Sequence, residues 1–404
     1  MILKSTLAEV VESQKENLLK SSQGILRDKL KEIKLSKKYA TVITGIRRSG
    51  KSTLLRQLLT KQKKFSYLNF EDIRLFNFTL NDFKKLEEVF LDKTNPDVYF
   101  FDEIQNVSNW ERYIRTLVDE NKTIVITGSN ASLLSNELGT RLTGRHLRYE
   151  LYPFSYLEYL KKFKVKSSAN SFEDYIKYGG FPEYLNQKNE NILQELVNDI
   201  LSRDIVARYS LRNPKMVKEI ALYLLSNVGK EFSYQNLRKM YNLGSVNTVI
   251  SLVGYFENSY LLFTIPQFDF SYKKQLINSK KVYAIDTGLV EANSVSFSKD
   301  KGRVLENAVF IHLKRSGKEV FFYKKKNECD FISRDRKKDL DAYQVCYNLT
   351  DENKDREING IVDALTFIKK NSGLILTLNQ TDEFIVNGKK IIVKPVWKWM
   401  TEYS

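Results

Sequence analysis

The stretch TGIRRSGKST, Thr44–Thr53, constrains this chain more than any other. Gly45 and Gly50 bracket four residues, Lys51 and Ser52 follow, and the whole fits the pattern G-x-x-x-x-G-K-[ST]. The short β-branched segment YATVI precedes it, and the helical segment LLRQLLTK follows. Strand, glycine-rich loop and helix in that order let the backbone turn tightly. Successive N–H groups, helped by the positive end of the helix, then point at an anion. Lys51 is placed to reach the β- and γ-phosphates of a nucleotide, and Ser52 to ligate Mg2+. The expected nucleotide-binding residues are Gly45, Arg48, Ser49, Gly50, Lys51, Ser52 and Thr53. Arg47 and Arg48 sit at loop positions whose side chains face DNA, a partner subunit or a nearby acid, and the sequence does not choose among these.

A second motif, VYFFDEI at 98–104, ends an apolar strand in two acids. Neighbouring side chains at a strand end point in different directions. Asp102 is therefore expected to hold Mg2+, and Glu103 to act as the base that polarises an attacking water. The segment TGSNA at 127–131 ends another strand, where Asn130 is expected to position that water. Arg141 and Arg145 in RLTGRH, and Arg203 in LSRDIV, are candidates for stabilising γ-phosphate charge, in their own subunit or a neighbour's. Arg145 is preferred, because Gly144 would permit a close approach.

Apolar runs separated by helical patterns continue to about residue 155. Strands are expected at 38–44, 65–72, 97–105, 123–130 and 145–154. In NWERYIRTLVDE, Trp110, Tyr113, Ile114, Leu117 and Val118 follow helical spacing. Strands apolar on both faces imply a parallel sheet covered on both sides. Beyond the polar linker KKFKVKSSANS the pattern turns helical, with a break at Gly179-Gly180 and Pro182. Three short helices from Pro214 and the pair YLLFTIPQF and KKVYAID read as a winged helix-turn-helix. From about Lys301 the expectation is a helix, three strands, a helix and a final strand pair.

The chain of 404 residues is too long for one ordinary core. Its two cysteines, Cys329 and Cys346, exclude a disulfide framework, and two histidines leave little for zinc or a histidine-based triad. A net charge of +16 favours a polyanionic partner, nucleic acid or an acidic surface. No apolar run approaches the length of a membrane span, and MILKSTLAEVVESQKENLL reads as an amphipathic helix, not a secretory signal. The expected location is cytoplasmic.

The ordered set GIRRSGKST, FFDEIQ, ITGSNASLLS, LTGRH, LYPFSYLEYL and YGGFPEYL resembles the archaeal and bacterial AAA+ ATPases of the archaeal ATPase group. The second half, with RDI near 203, IDTGL, GRVLENAVFIHL, ECDFI and QVC, resembles the domain of unknown function that commonly follows that core. The resemblance implies an α/β P-loop NTPase with a parallel sheet, a helical lid, a winged helix and a C-terminal α/β domain of PD-(D/E)XK nuclease-like fold. The corresponding boundaries are 1–160 for the ATPase core, 161–213 for the lid, 214–296 for the winged helix and 297–404 for the nuclease-like domain. ATP and Mg2+ are the implied cofactors, DNA and a further copy of the chain the expected partners. The nuclease pattern needs an acid on a helix, an Asp on a strand and acid-x-Lys on the next. Glu306 and Asp330 fill the first two places, and Gln344-Val345-Cys346 stands at the third. Glu306, Asp330 and Gln344 are the candidate metal ligands, Lys324, Lys325 or Lys326 the candidate replacements for the lysine, and DNA cleavage is not expected. Three functions stay open: an ATPase acting on DNA, a nucleotide switch working through protein contacts, and an ATP-gated nuclease.

Overall fold

The structure is a computed structural model that describes residues 1–129, 144–295 and 300–402. The chain packs as two compact units, Met1–Leu151 and Tyr152–Ser404.

The first unit is built on strands β1 (Ala40–Thr44), β2 (Phe65–Asn69), β3 (Val98–Asp102), β4 (Thr123–Gly128) and β5 (His146–Glu150). They form one sheet in the order β2-β3-β4-β1-β5, and every pairing is parallel. β1, β3 and β4 are buried along their whole length, as central strands covered on both faces must be. Alternation along β3 divides the core. Tyr99 and Phe101 pack with Phe83, Phe90, Trp110 and Leu117 on one face. Val98 and Phe100 pack with Leu54, Leu58 and Leu30 on the other. The helix Trp110–Asp119 buries the five apolar residues whose spacing predicts it. Tyr113 stacks on Phe83 at a centroid distance of 4.0 Å. The N-terminal helix Lys4–Lys20 buries Leu7, Val10, Val11 and Leu18. β5 is an edge strand, which explains its poorer burial.

In the second unit, helices Ala169–Tyr178 and Pro182–Gln187 flank the Gly179-Gly180 break, and Pro182 sits at the first helical position where its missing N–H costs nothing. The helix Asn191–Asp199 continues as a π-helical stretch, Ile200–Ala207, on which Arg203 is exposed. Helices Pro214–Leu225, Tyr234–Met240 and Val246–Asn258 follow, the second capped by Ser233 and the third by Ser245. Strands β6 (Glu231–Phe232), β7 (Leu262–Pro266) and β8 (Lys280–Ala284) form an antiparallel sheet in the order β6-β8-β7.

After the helix Lys301–Arg315 come β9 (Glu319–Lys324), β10 (Glu328–Arg334), β11 (Leu340–Val345), the helix Lys354–Phe367, β12 (Ser372–Thr377), β13 (Asp382–Val386), β14 (Lys389–Pro395) and the helix Val396–Glu402. Their sheet has the order β13-β14-β12-β11-β10-β9. Three strands, not a pair, follow the helix Lys354–Phe367. β12 is the extra one, and it joins β11 and β14 in parallel. Polar bonds tie the parts of this unit together. Asp286 accepts the Gly180 N–H at 2.6 Å, and Arg315 donates to the carbonyl of Pro153 at 2.9 Å. The segment from Tyr152 therefore packs with the second unit. Among the described residues no helix is long and apolar enough to cross a membrane.

Candidate nucleotide-binding site

The loop between β1 and the helix Lys51–Leu59 leaves the end of a central strand beside the chain's exit from β5. Leu151 N donates to Thr44 O at 2.7 Å, and a Cβ on Gly45 would lie 2.0 Å from Leu151 O. Only glycine fits there. Arg48 (φ 60°) and Gly50 (φ 94°) are left-handed, which wraps the loop around the helix N-terminus. Ser49 is fully buried, and its Oγ has no hydrogen-bond partner among the described residues. Thr53 is half-buried in the first helical turn. Arg47 answers one open point: its guanidinium meets Glu71 at 3.4 Å.

Lys51 is 4% exposed. Its Nζ donates to Gly45 O at 3.1 Å and Ile46 O at 3.2 Å, and stands 3.6 Å from Glu103 Oε1. Asp102 is fully buried at the end of β3. It accepts hydrogen bonds from Thr127 Oγ1 and the Ser52 hydroxyl, and from Tyr67 Oη at 3.2 Å. Burial first, and then the charge of Glu103, raises the Asp102 carboxyl above its ordinary range. Glu103 adopts φ 51°, a left-handed conformation held because its N–H donates to Thr127 Oγ1 at 3.0 Å. Gln105 Nε2 donates to Glu103 Oε2.

β1 and β3 thus bring the two motifs together: a buried lysine, a hydroxyl and two acids. The orphaned Ser49 Oγ and the tight glycine turns fit a phosphate. The Ser52 hydroxyl and Asp102 carboxylate are the hard oxygen donors that Mg2+ prefers.

Two contributors have no motif. Arg27 is 3% exposed, and its Nη1 donates to Ser49 O at 2.6 Å. Gln57, buried on the loop's helix, accepts from Arg27 N at 3.1 Å and donates to Gln23 O at 2.8 Å and Ile25 O at 2.7 Å. Residues 23–27 are thereby stapled onto the loop. A glutamine inside the apolar run LLRQLL was the signal available for this. Thr127, which braces Asp102 and Glu103 together, was also missed.

Arg145 does not lie beside the phosphate loop of its own chain. In the β1–β5 register Ala40 lies opposite His146, so Arg145 sits where β1 begins. The phosphate loop leaves the other end of β1, about 16 Å away at the rise of a strand. Arg145 is exposed and pairs with Asp119, and a Cβ on Gly144 would meet nothing within 4 Å. Asn130 and Arg141 lie outside the described residues.

In the second unit, Glu306, Asp330 and Gln344 do come together, lining a cavity of about 650 Å3. The contacts of these residues nevertheless suit a metal poorly. Gln344 is spent on protein partners: its Oε1 accepts from Asp330 N at 3.2 Å, and its Nε2 donates to Glu357 Oε2 at 2.6 Å. Among the described residues no group of three or more His, Cys, Asp or Glu side chains is arranged to hold a metal ion. A lysine is present, from an unexpected place: Lys281 of β8. Lys324 instead pairs with Glu231 and Glu328, and Lys325 lies over the Phe367 ring at 3.6 Å. Both cysteines are buried and free; burial pushes the Cys346 thiol up to about 12 and raises that of Cys329 as well.

Residues 37–160 match the family model described as AAA domain, and residues 169–299 match a domain of unknown function, DUF8612. The uncharacterized protein MJ1544 of Methanocaldococcus jannaschii is 38% identical over 100% of this chain and 97% of its own length. An uncharacterized protein of Haemophilus influenzae is 31% identical over 89% of this chain and 94% of its own. A solved structure of the replication initiator DnaA bound to AMPPCP and single-stranded DNA aligns at 17% identity with a TM-score of 0.29, over 62% of this chain and 86% of that one; a likeness at that score carries no function across.

Proposed function

The chain belongs to the AAA ATPase family, and on that premise we propose that it binds ATP with Mg2+ at the loop Gly45–Thr53 and hydrolyses the γ-phosphate. The observation that carries this is the burial of Lys51, Asp102 and Glu103 together at the ends of β1 and β3, with Lys51 3.6 Å from Glu103. Lys51 binds the β- and γ-phosphates, exchanging its two carbonyl partners for phosphate oxygens. Ser52 and Asp102 would hold Mg2+, which would supply charge neutralisation at the transferring phosphoryl group. Glu103 takes the proton of the attacking water, with Gln105 and Thr127 holding its carboxylate and backbone in place. Asn130 is assigned to orienting the same water.

We assign the working partner to DNA, in the cytoplasm, with assembly of several copies as the accompanying proposal. The net charge of +16 and the helices Pro214–Leu225, Tyr234–Met240 and Val246–Asn258 beside the β6-β8-β7 sheet support it. Sequence-tolerant contact with phosphates suits this charge, since no arginine leads the helix that begins at Val246. The competing proposal is a nucleotide switch acting through protein contacts; stimulation of hydrolysis by duplex DNA at low salt separates the two. Phosphate release with Mg2+ tests the central reading. Glu103→Gln should lower turnover on the order of 10²–10⁴-fold while ATP binding persists. Unchanged turnover in that variant would remove Glu103 from the mechanism.

A further inference from the structure

The fold expected for residues 297–404 implies a divalent metal among its carboxylates, and the residues gathered in the second unit do not fit one. The disagreement centres on Lys281, whose side chain is 3% exposed. Its Nζ lies 2.8 Å from Glu328 Oε1, 3.4 Å from Glu306 Oε1 and 3.4 Å from Asp330 Oδ1. An ammonium has three protons, and three carboxylates surround this one. Tyr283, two residues along β8 and so on the same face, donates to Glu306 Oε1 at 2.5 Å. Asp330 Oδ2 accepts Val345 N at 2.9 Å.

Local structure brings these groups together from distant segments. The β10–β9 register shifts between Cys329 and Ile332, and this bulge aims Asp330 inward. Gly360 lets the helix Lys354–Phe367 close on β10, since a Cβ there would lie 2.2 Å from Glu328 O. Gly229 leaves room beside Glu306, 3.0 Å from where its own Cβ would stand. Arg303 and Arg356 add positive charge to the cavity wall, paired with Asp300 and Glu357.

We propose that Lys281 is the resident cation of this pocket: its ammonium takes the charge position of a divalent metal, closes the native pocket to Mg2+ and Mn2+, and on removal leaves a site for one divalent ion on Glu306 and Asp330. Oxygens of both acids already point at the ammonium. An ion bound to those atoms at the usual metal–oxygen separation of about 2.1 Å would stand within about 5.5 Å of the ammonium and be repelled by its charge. Loss of the ammonium leaves two buried acids, Glu306 and Asp330, without their shared counter-ion. This inference is independent of the nucleotide site.

The test is Mn2+ binding to the full chain without nucleotide, read from the electron paramagnetic resonance of free Mn2+. The proteins are wild type, Asp330→Asn, Lys281→Met and Lys281→Met/Asp330→Asn, with folding checked by circular dichroism. The wild type should bind no Mn2+ that Asp330→Asn removes. Lys281→Met should gain about one equivalent, at least tenfold tighter than any wild-type binding and lost in the double variant. A wild-type ion sensitive to Asp330→Asn, or a folded Lys281→Met that gains none, overturns the proposal. Should Lys281→Met not fold, the wild-type arm decides, supported by melting curves: no Mn2+-dependent rise that Asp330→Asn abolishes is expected, and such a rise overturns it.

Discussion

Two buried lysines divide this molecule's chemistry between them. Lys51 faces one carboxylate at 3.6 Å and is otherwise held by two backbone carbonyls. Lys281 faces three carboxylates at 2.8–3.4 Å. Carbonyl dipoles leave most of an ammonium's charge uncompensated, so a polyphosphate can draw Lys51 to itself. Lys281 is already neutralised by fixed anions and has no charge left to offer a ligand. The same residue type thus makes a binding group in one setting and a structural counter-ion in the other. What decides is the number of anions within reach, not burial.

The comparison breaks most clearly in stability. Removing one partner of a buried ionic cluster strands the others, so Lys281→Met should cost about 3–5 kcal/mol in urea unfolding of the second unit. Lys51→Met should cost less, because its one ion pair, to Glu103, is longer at 3.6 Å, whereas Lys281 makes three. Equal costs would show that the two environments do not differ as described.

A buried acid with no lysine beside it sharpens the same contrast. Asp286 accepts backbone N–H groups from Gly180 at 2.6 Å and Leu289 at 3.1 Å, and burial pushes its carboxyl up to about 6. Its folded value lies above the unfolded one, so the folded chain binds the extra proton. The stability this provides is complete below about pH 4 and lost as pH rises to about 6, an effect of roughly 2–3 kcal/mol. Asp286→Asn keeps an acceptor but does not titrate. The difference in stability between wild type and variant should therefore fall across that window. A difference that is flat with pH would assign the site no titration.

The phosphate loop was legible because its chemistry is contiguous: Gly45 to Ser52 in one run, and Asp102-Glu103 in another at the tip of an apolar strand. Helical spacing gave Trp110–Asp119 for the same reason, since local periodicity reports local burial. Arg145 was preferred because Gly144 would permit a close approach, a local argument that does not say which end of the sheet the residue occupies. In an all-parallel sheet the residue before a strand lies at the edge opposite the phosphate loop, and that rule was available without coordinates. Lys281 was not legible. It reaches Asp330 from a different sheet, and nothing in KKVYAID marks one lysine among so many as buried. Arg27 was hidden likewise, its role fixed only when Gln57 pins the segment carrying it.

Titration calorimetry of the full chain with a non-hydrolysable ATP analogue and Mg2+ tests the central claim most directly. One site per chain is predicted, weakened in Lys51→Ala by roughly tenfold to a hundredfold, the worth of one charge-assisted contact. No binding by the wild type, or equal affinity in Lys51→Ala, would contradict the account.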